Sequence, residues 1–414
     1  MRRKLLALII SVILAVGALS TFTACGVKIC NHVYSDTSCT KCGASIPSEG
    51  LKYILSSDGE YYIVSGMGTC VDTELVIPNT YNGKPVKAVG TDAFKGNTKI
   101  TSVEIHDGIE FVLPYAFNNC TSLGTVKFSK TLKVIDWCSF EKCSSLTEVE
   151  IPNSVDKIEY GAFRDCLFLE KIVIGSKVKT IGTYAFAGCT SLITIKIPSS
   201  VKYLGDRIFN NCFKLIEVQN NSKHHVEIGS EENGGIALYA KEVIKKASKS
   251  NLFTTNDGFV FYNDNGNYYL MGKLGGIAGD VKLPDNYNGK NYSVYDYALQ
   301  RRTAITSLEI PNGVTGIGKY AFANCSNLLT VEMGDDVQKL DEGAFYTNIK
   351  LSEVKLGKKV NYIGNNAFMG SIALSTVSFN GTKAEWISAH KGNLWNTATQ
   401  ISSIICSDGP FAVS

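Results

Sequence analysis

The stretch Leu146-Thr147-Glu148-Val149-Glu150-Ile151-Pro152, followed by Val155-Asp156-Lys157-Ile158 and then by Gly161-Ala162-Phe163 and Cys166, decides the fold. Val149 and Ile151 alternate with Glu148 and Glu150. That period of two puts apolar side chains on one face of an extended segment and carboxylates on the other. Pro152 ends the segment, because a residue without an N–H cannot continue a strand ladder. Val155 and Ile158 begin a second extended piece, and Ala162-Phe163 fills the turn that follows. The pattern returns along the chain. Phe94, Phe117, Phe140, Phe163, Phe186 and Phe209 stand 23 residues apart, and Leu299, Phe322, Phe345 and Phe368 repeat the interval.

A unit this short cannot bury its own apolar face, so such units must stack. The expected fold is mainly β: a solenoid of 23-residue units with parallel strand ladders, in two arrays joined by an irregular module. The first array spans 51–219 and the second 281–379, with a linker module at 220–280 and a C-terminal cap at 380–414. Each array opens alike, with Tyr81-Asn82-Gly83-Lys84 echoed by Tyr287-Asn288-Gly289-Lys290. Each opening follows a hairpin, around Asp58-Gly59 and around Asn265-Gly266. Residues 237–249 suggest a short helix, and Trp386 and Trp395 suggest a lid on the last rung.

Cys120, Cys143, Cys166, Cys189 and Cys212 share one repeat position, and Cys325 repeats it in the second array. Rungs about 5 Å apart meet the Cα spacing of a disulfide. Equivalent side chains on stacked rungs run parallel and do not converge, so the column reads as small buried hydrophobes.

With its Leu-x-x-Val-x-Ile-Pro strand, its Val-x-x-Ile segment and its Ala-Phe-x-x-Cys corner, the unit resembles the BspA-like (treponemal-type) leucine-rich repeat over about residues 51–409. Leu299 at the head of the second series and Asn348 in place of the column Cys depart from the pattern. The resemblance implies a surface protein that adheres to host or bacterial surface proteins.

The chain begins with Met1-Arg2-Arg3-Lys4, an apolar run from Leu5, and Thr23-Ala24-Cys25. A basic start, an apolar stretch and small residues before a cleavage point form an export signal over 1–24. The Cys resembles a bacterial lipobox acceptor, which makes Cys25 the expected lipid attachment and the outer face of the cell membrane, or the cell surface, the expected location. Arg2, Arg3 and Lys4 account for the whole excess of 41 basic over 38 acidic side chains. The remainder is balanced, which argues against a nucleic-acid partner. In the tether at 25–50, Cys30, His32, Cys39 and Cys42 have the types and spacing of a structural Cys3His zinc site, zinc-ribbon-like; a disulfide is the competing reading.

The sequence carries no metalloprotease, P-loop or nucleophile-elbow pattern. The expectation is therefore a non-enzymatic scaffold that binds a macromolecule, a surface protein or a glycan. A carbohydrate-binding or structural envelope component is the alternative. Outward strand positions supply the candidate binding face: Glu104, Lys127, Glu150, Lys171, Lys196, Glu309, Glu332 and Lys355. The zinc reading predicts about one equivalent of metal in the purified protein, lost in Cys39→Ser, as measured by elemental mass spectrometry. Equal metal in the two proteins removes the site.

Overall fold

Burying a 23-residue unit requires that its backbone hydrogen bonds go to the next unit, and they do so along three lines. The computed structural model describes residues 45–245 and 250–413, with the backbone of the short pair Thr23–Ala24 and Val27–Lys28. Cys25 and the four candidate zinc ligands lie outside the described residues.

The first line is the ladder of Val-x-Ile strands. Thr125–Lys127 pairs in parallel with Ser102–Ile105, and Glu148–Glu150 with Lys171–Val173, always 23 residues out of step. The second line is made of two-residue strands, Phe111–Val112, Val134–Ile135, Lys157–Ile158, Thr180–Ile181 and Tyr203–Leu204, in one continuous sheet. Inward side chains of both ladders, such as Val149 and Ile158, are buried in a single core.

The third line lies at the corner. Tyr115, Phe117 and Asn119 donate their N–H groups to the carbonyls of Trp137, Ser139 and Glu141 in the next unit, at 2.7–2.9 Å. Cys138, Phe140 and Lys142 repeat the set with Tyr160, Ala162 and Arg164. To aim every second N–H forward, the corner adopts left-handed backbone at two positions, Tyr115 (φ 58°) and Asn119 (φ 58°), then Cys138 (φ 50°) and Lys142 (φ 61°). Left-handed backbone costs a non-glycine residue roughly 1–2 kcal/mol, which the buried interunit bonds offset.

The corner also fixes the aromatic column. The rings of Phe94, Phe117, Phe140, Phe163, Phe186 and Phe209 follow one another at 5.0–5.5 Å with interplanar angles of 6–16°. The cysteines stand beside them, all free and buried. Each thiol donates to the carbonyl of the phenylalanine one unit back: Cys120 to Phe94 at 3.1 Å, Cys143 to Phe117 and Cys166 to Phe140 at 3.2 Å. The column is thus more than a small-hydrophobe filler. Where it departs from Cys, the donor survives: Asn348 Nδ2 reaches the Phe322 carbonyl at 3.0 Å, and Ser371 Oγ reaches that of Phe345 at 3.1 Å.

The second array repeats these lines around its own core, from Phe259 to Cys406. Its two ladders are unbroken, and it opens on the hairpin Phe259–Asp264 with Asn267–Lys273. It closes on Trp395, whose carbonyl accepts the Phe368 N–H at 2.7 Å and whose ring meets Phe368 edge-on at 6.3 Å. Trp386 packs against Trp395 at 5.9 Å from the short helix Lys383–Ser388. A capping box between Thr382 and Glu385 starts that helix. This helix is absent from the sequence reading, although Thr-x-x-Glu was its signal.

The module expected at 220–280 divides between the arrays. Ile236, Ala237 and Ala240 complete the first core, and Glu242–Ile244 pairs in parallel with Glu217–Asn220. The helix expected at 237–249 is replaced, over the described residues, by turns and this strand. The last rung presented an unpaired edge, and satisfying it outweighed local helix preference. The hairpin belongs to the second core.

The two arrays do not continue one stack. Ile193 and Ile216 of the first meet Val260, Tyr262 and Met271 of the second in a separate apolar cluster. Beside it Phe213 stacks on Tyr297 at 5.1 Å, Arg302 pairs with Glu170, and Lys214 Nζ donates to the Ala298 carbonyl at 2.9 Å.

Burial pushes the thiols of Cys120, Cys212 and Cys325 up to about 12. Column cysteines are therefore expected to stay unmodified by an aromatic disulfide reagent until the chain unfolds. Rapid native labelling of Cys166, read by peptide mass spectrometry, would contradict the packing.

Candidate interaction face

The candidate residues all stand on the first line of strands, where the ladder register decides what each one meets. Glu104 lies opposite Lys127, and the two form a 2.7 Å ion pair. Ser45 Oγ donates to the other Glu104 oxygen at 2.7 Å. Burial acts to raise the Glu104 carboxyl, but the bonds from Lys127 and Ser45 prevail and hold it below its ordinary range. Lys171 lies opposite Glu148, 3.8 Å away, while Glu150 lies opposite Val173. Lys196 lies opposite Gln219. In the second array Lys282, Glu309, Glu332 and Lys355 form one file, with pairs of 3.0 Å and 3.7 Å at its two ends. Opposite signs meet at four of these pairs while Glu309 and Glu332 adjoin as like charges, and the face carries no single-sign field.

Two interruptions shape the face in the first array. The sheet containing Thr125–Lys127 ends there, and Glu148–Glu150 starts another; the ladder parts again between Lys171–Val173 and Thr194–Ile197. At the first break Phe128 occupies the position held by Ile105 and Ile151 in the flanking units. Its ring reaches Phe140 edge-on at 5.5 Å. The rungs separate here, although Phe379 at the equivalent position of the second array is paired on both sides, so ring size alone does not part the ladder. The result is a cleft of about 700 Å³ that brings Lys127, Glu150 and Lys171 together with Glu148, Phe128 and Lys130. Glu104 adjoins it through Lys127, and Lys196 is not among its lining residues. In the second array Glu309 and Glu332 line a more open cleft of about 780 Å³ with Lys282, Asn312 and Asp335. Lys355 is joined to it only through Glu332. Neither cleft was foreseen. Lys127-Phe128-Ser129, where the next unit carries Glu150-Ile151-Pro152, was the available signal for the first.

Among the described residues no group of three or more His, Cys, Asp or Glu is placed to hold a metal ion, and no helix is long and apolar enough to cross a membrane.

This architecture defines a leucine-rich-repeat solenoid. The BspA type leucine rich repeat region, in six copies, matches residues 87–216 and 286–406, more than half of the chain, and the chain belongs to that family. Among solved structures, a leucine rich cell surface protein from Faecalibacterium prausnitzii A2-165 is 21% identical, covers 83% of this chain and 97% of its own, and gives a TM-score of 0.34. The pneumococcal vaccine antigen PcpA is also 21% identical, over 88% of this chain and 87% of its own, with a TM-score of 0.35. The leucine rich repeat protein of T. pallidum is 16% identical, over 85% and 99%, at 0.27. A search of curated proteins gives no match.

Glu104 and Lys171 differ in burial, with side chains 15% and 63% exposed, which predicts different costs. Glu104→Ala, which leaves Ser45 and Lys127 without their shared acceptor, is expected to lower stability by about 1–2 kcal/mol. Lys171→Ala, on an exposed pair, should change it by less than ~1 kcal/mol. Urea denaturation at neutral pH measures both, and equal losses would contradict the placement.

Proposed function

We propose that the protein is a lipid-anchored surface protein whose first array binds a protein partner, without catalysis of its own. The parted ladder between Thr125–Lys127 and Glu148–Glu150 carries the reading. It turns a regular strand face into a cleft with an apolar floor at Phe128 and Val126, and with charges of both signs at its rim. Apolar anchors ringed by polar groups are the usual anatomy of a protein-binding patch. Interleaved lysines and glutamates favour a partner of complementary mixed charge and disfavour polyanions. Membership in the BspA-type family supports display of the scaffold, and Cys25 supplies the tether in this reading.

A glycan is the second reading, favoured by one observation. On the corner flank Trp137 and Tyr160 remain exposed, at 55% and 37%, and Tyr160 meets Tyr184 edge-on at 5.9 Å. Aromatic faces outside the strands suit sugar stacking.

The test uses the chain from Gly26 to Ser414, lacking only the signal and lipid site. Bound to beads, it is expected to capture a protein from surface extracts of bacterial or host cells. The double variant Lys130→Glu, Lys171→Glu, at two exposed lysines of the cleft, should weaken that capture at least tenfold with little change in thermal stability. Capture that survives charge reversal refutes the cleft. Binding on a glycan array that is lost in Trp137→Ala would favour the second reading.

A further inference from the structure

Within the contact between the arrays, three ionisable side chains gather in one buried cluster, contributed from both sides. Glu170 and Lys214 belong to the first array, and Arg302 to the opening unit of the second. All three are buried, with 7%, 2% and 9% of their surfaces exposed. Arg302 spends its charge on Glu170 and lays its guanidinium over the Phe168 ring at 5.4 Å. Lys214 has no carboxylate of its own. Its amine crosses the junction to one neutral acceptor, the Ala298 carbonyl. Gly272 of the capping hairpin closes over it so tightly that a Cβ there would lie 2.9 Å from Nζ. Neighbouring Lys273 turns away, onto the Phe259 ring and the Gly276 carbonyl.

We propose that this junction is a proton-controlled clasp, in which docking of the second array onto the first expels a proton from Lys214 and therefore tightens as pH rises. The chemistry balances simply. In the separated state the amine is hydrated and carries its proton; on docking the proton passes to solvent, and the neutral amine donates one N–H to Ala298. The charged groups acting on the amine are Arg302, which disfavours its protonation, and Glu170, which favours it but is already bonded to Arg302. Other ionisable contacts of the junction, Tyr262 with Glu242 and Lys241 with Asp264, lie elsewhere in it.

The sign and window follow from linkage. Burial, and then Arg302, lowers Lys214 from 10.5 to about 7 when docked. The docking penalty is complete well below pH 7, where the amine is charged in both states. It is relieved by up to a factor of ten per pH unit between about 7 and 10.5. From pH 6 to pH 8 the docking constant should rise about tenfold.

A thiol placed in the interarray cluster reads the separated population. Met271→Cys, fully buried in the docked state, is labelled in the full-length chain at pH 6, 7 and 8. The rate is divided by that of a model thiol at each pH, and the modified peptide is identified by mass. The normalised rate is expected to fall about tenfold from pH 6 to pH 8. Adding Lys214→Met should make it slow and flat, and adding Lys214→Arg, which keeps its charge throughout, fast and flat. A flat profile in the parent, or a slope that survives Lys214→Met, overturns the proposal. Column cysteines act as internal controls, since their labelling would report unfolding in place of undocking.

Discussion

The hydrogen bond from the corner phenylalanine N–H to a corner carbonyl of the following unit is the interaction on which the solenoid depends. It runs from Phe117 to Ser139, Phe140 to Ala162 and Phe163 to Ala185, reaches Ile208 from Phe186 at the end of the first array, and in the second ends where Trp395 receives the last donor from Phe368. The carbonyl of the same phenylalanine is held by the next unit's column residue, a thiol in most units, an amide in Asn348 and a hydroxyl in Ser371. Both polar groups of the phenylalanine backbone therefore point along the stack, and the ring has no freedom but to lie parallel to its neighbour. A buried backbone group without a partner costs as much as a lost hydrogen bond, so the corner admits few alternatives.

This constraint explains the asymmetry between the two strand ladders. The short ladder and the corner are continuous through the first array, while the Val-x-Ile ladder parts twice. With the other two lines intact, one ladder can open at Phe128 without loss of the fold. A repeat protein built on three parallel lines of bonds can vary one of them, and here the Val-x-Ile ladder is the line that varies. That is where a binding cleft is least costly to make.

The junction between the arrays obeys different rules. Each array has its own core and its own cap, and the contact between them draws on residues that occur once, such as Phe213, Lys214 and Arg302. Its apolar part is a handful of side chains, much smaller than either core. Charged groups therefore weigh more in this contact than anywhere else in the molecule, and a single buried amine can matter to how the halves sit together.

Much of this was legible in the sequence. The 23-residue interval, the alternation at Glu148-Val149-Glu150-Ile151 and the stops at Pro152 and Pro198 determined the fold class, the inward and outward positions and the buried cysteine column. They could do so because stacked identical units make every neighbour contact a consequence of the repeat. The tertiary structure alone decided the left-handed corners, since Tyr115, Cys138 and Lys142 carry no local signal for that backbone and adopt it to satisfy bonds to the next unit. It alone turned Lys127, Glu150 and Lys171 into one cleft, and it alone brought Arg302 to Glu170 across 132 residues. Periodicity encodes contacts between equivalents. Contacts between residues that have no equivalent arise only when the two finished arrays meet.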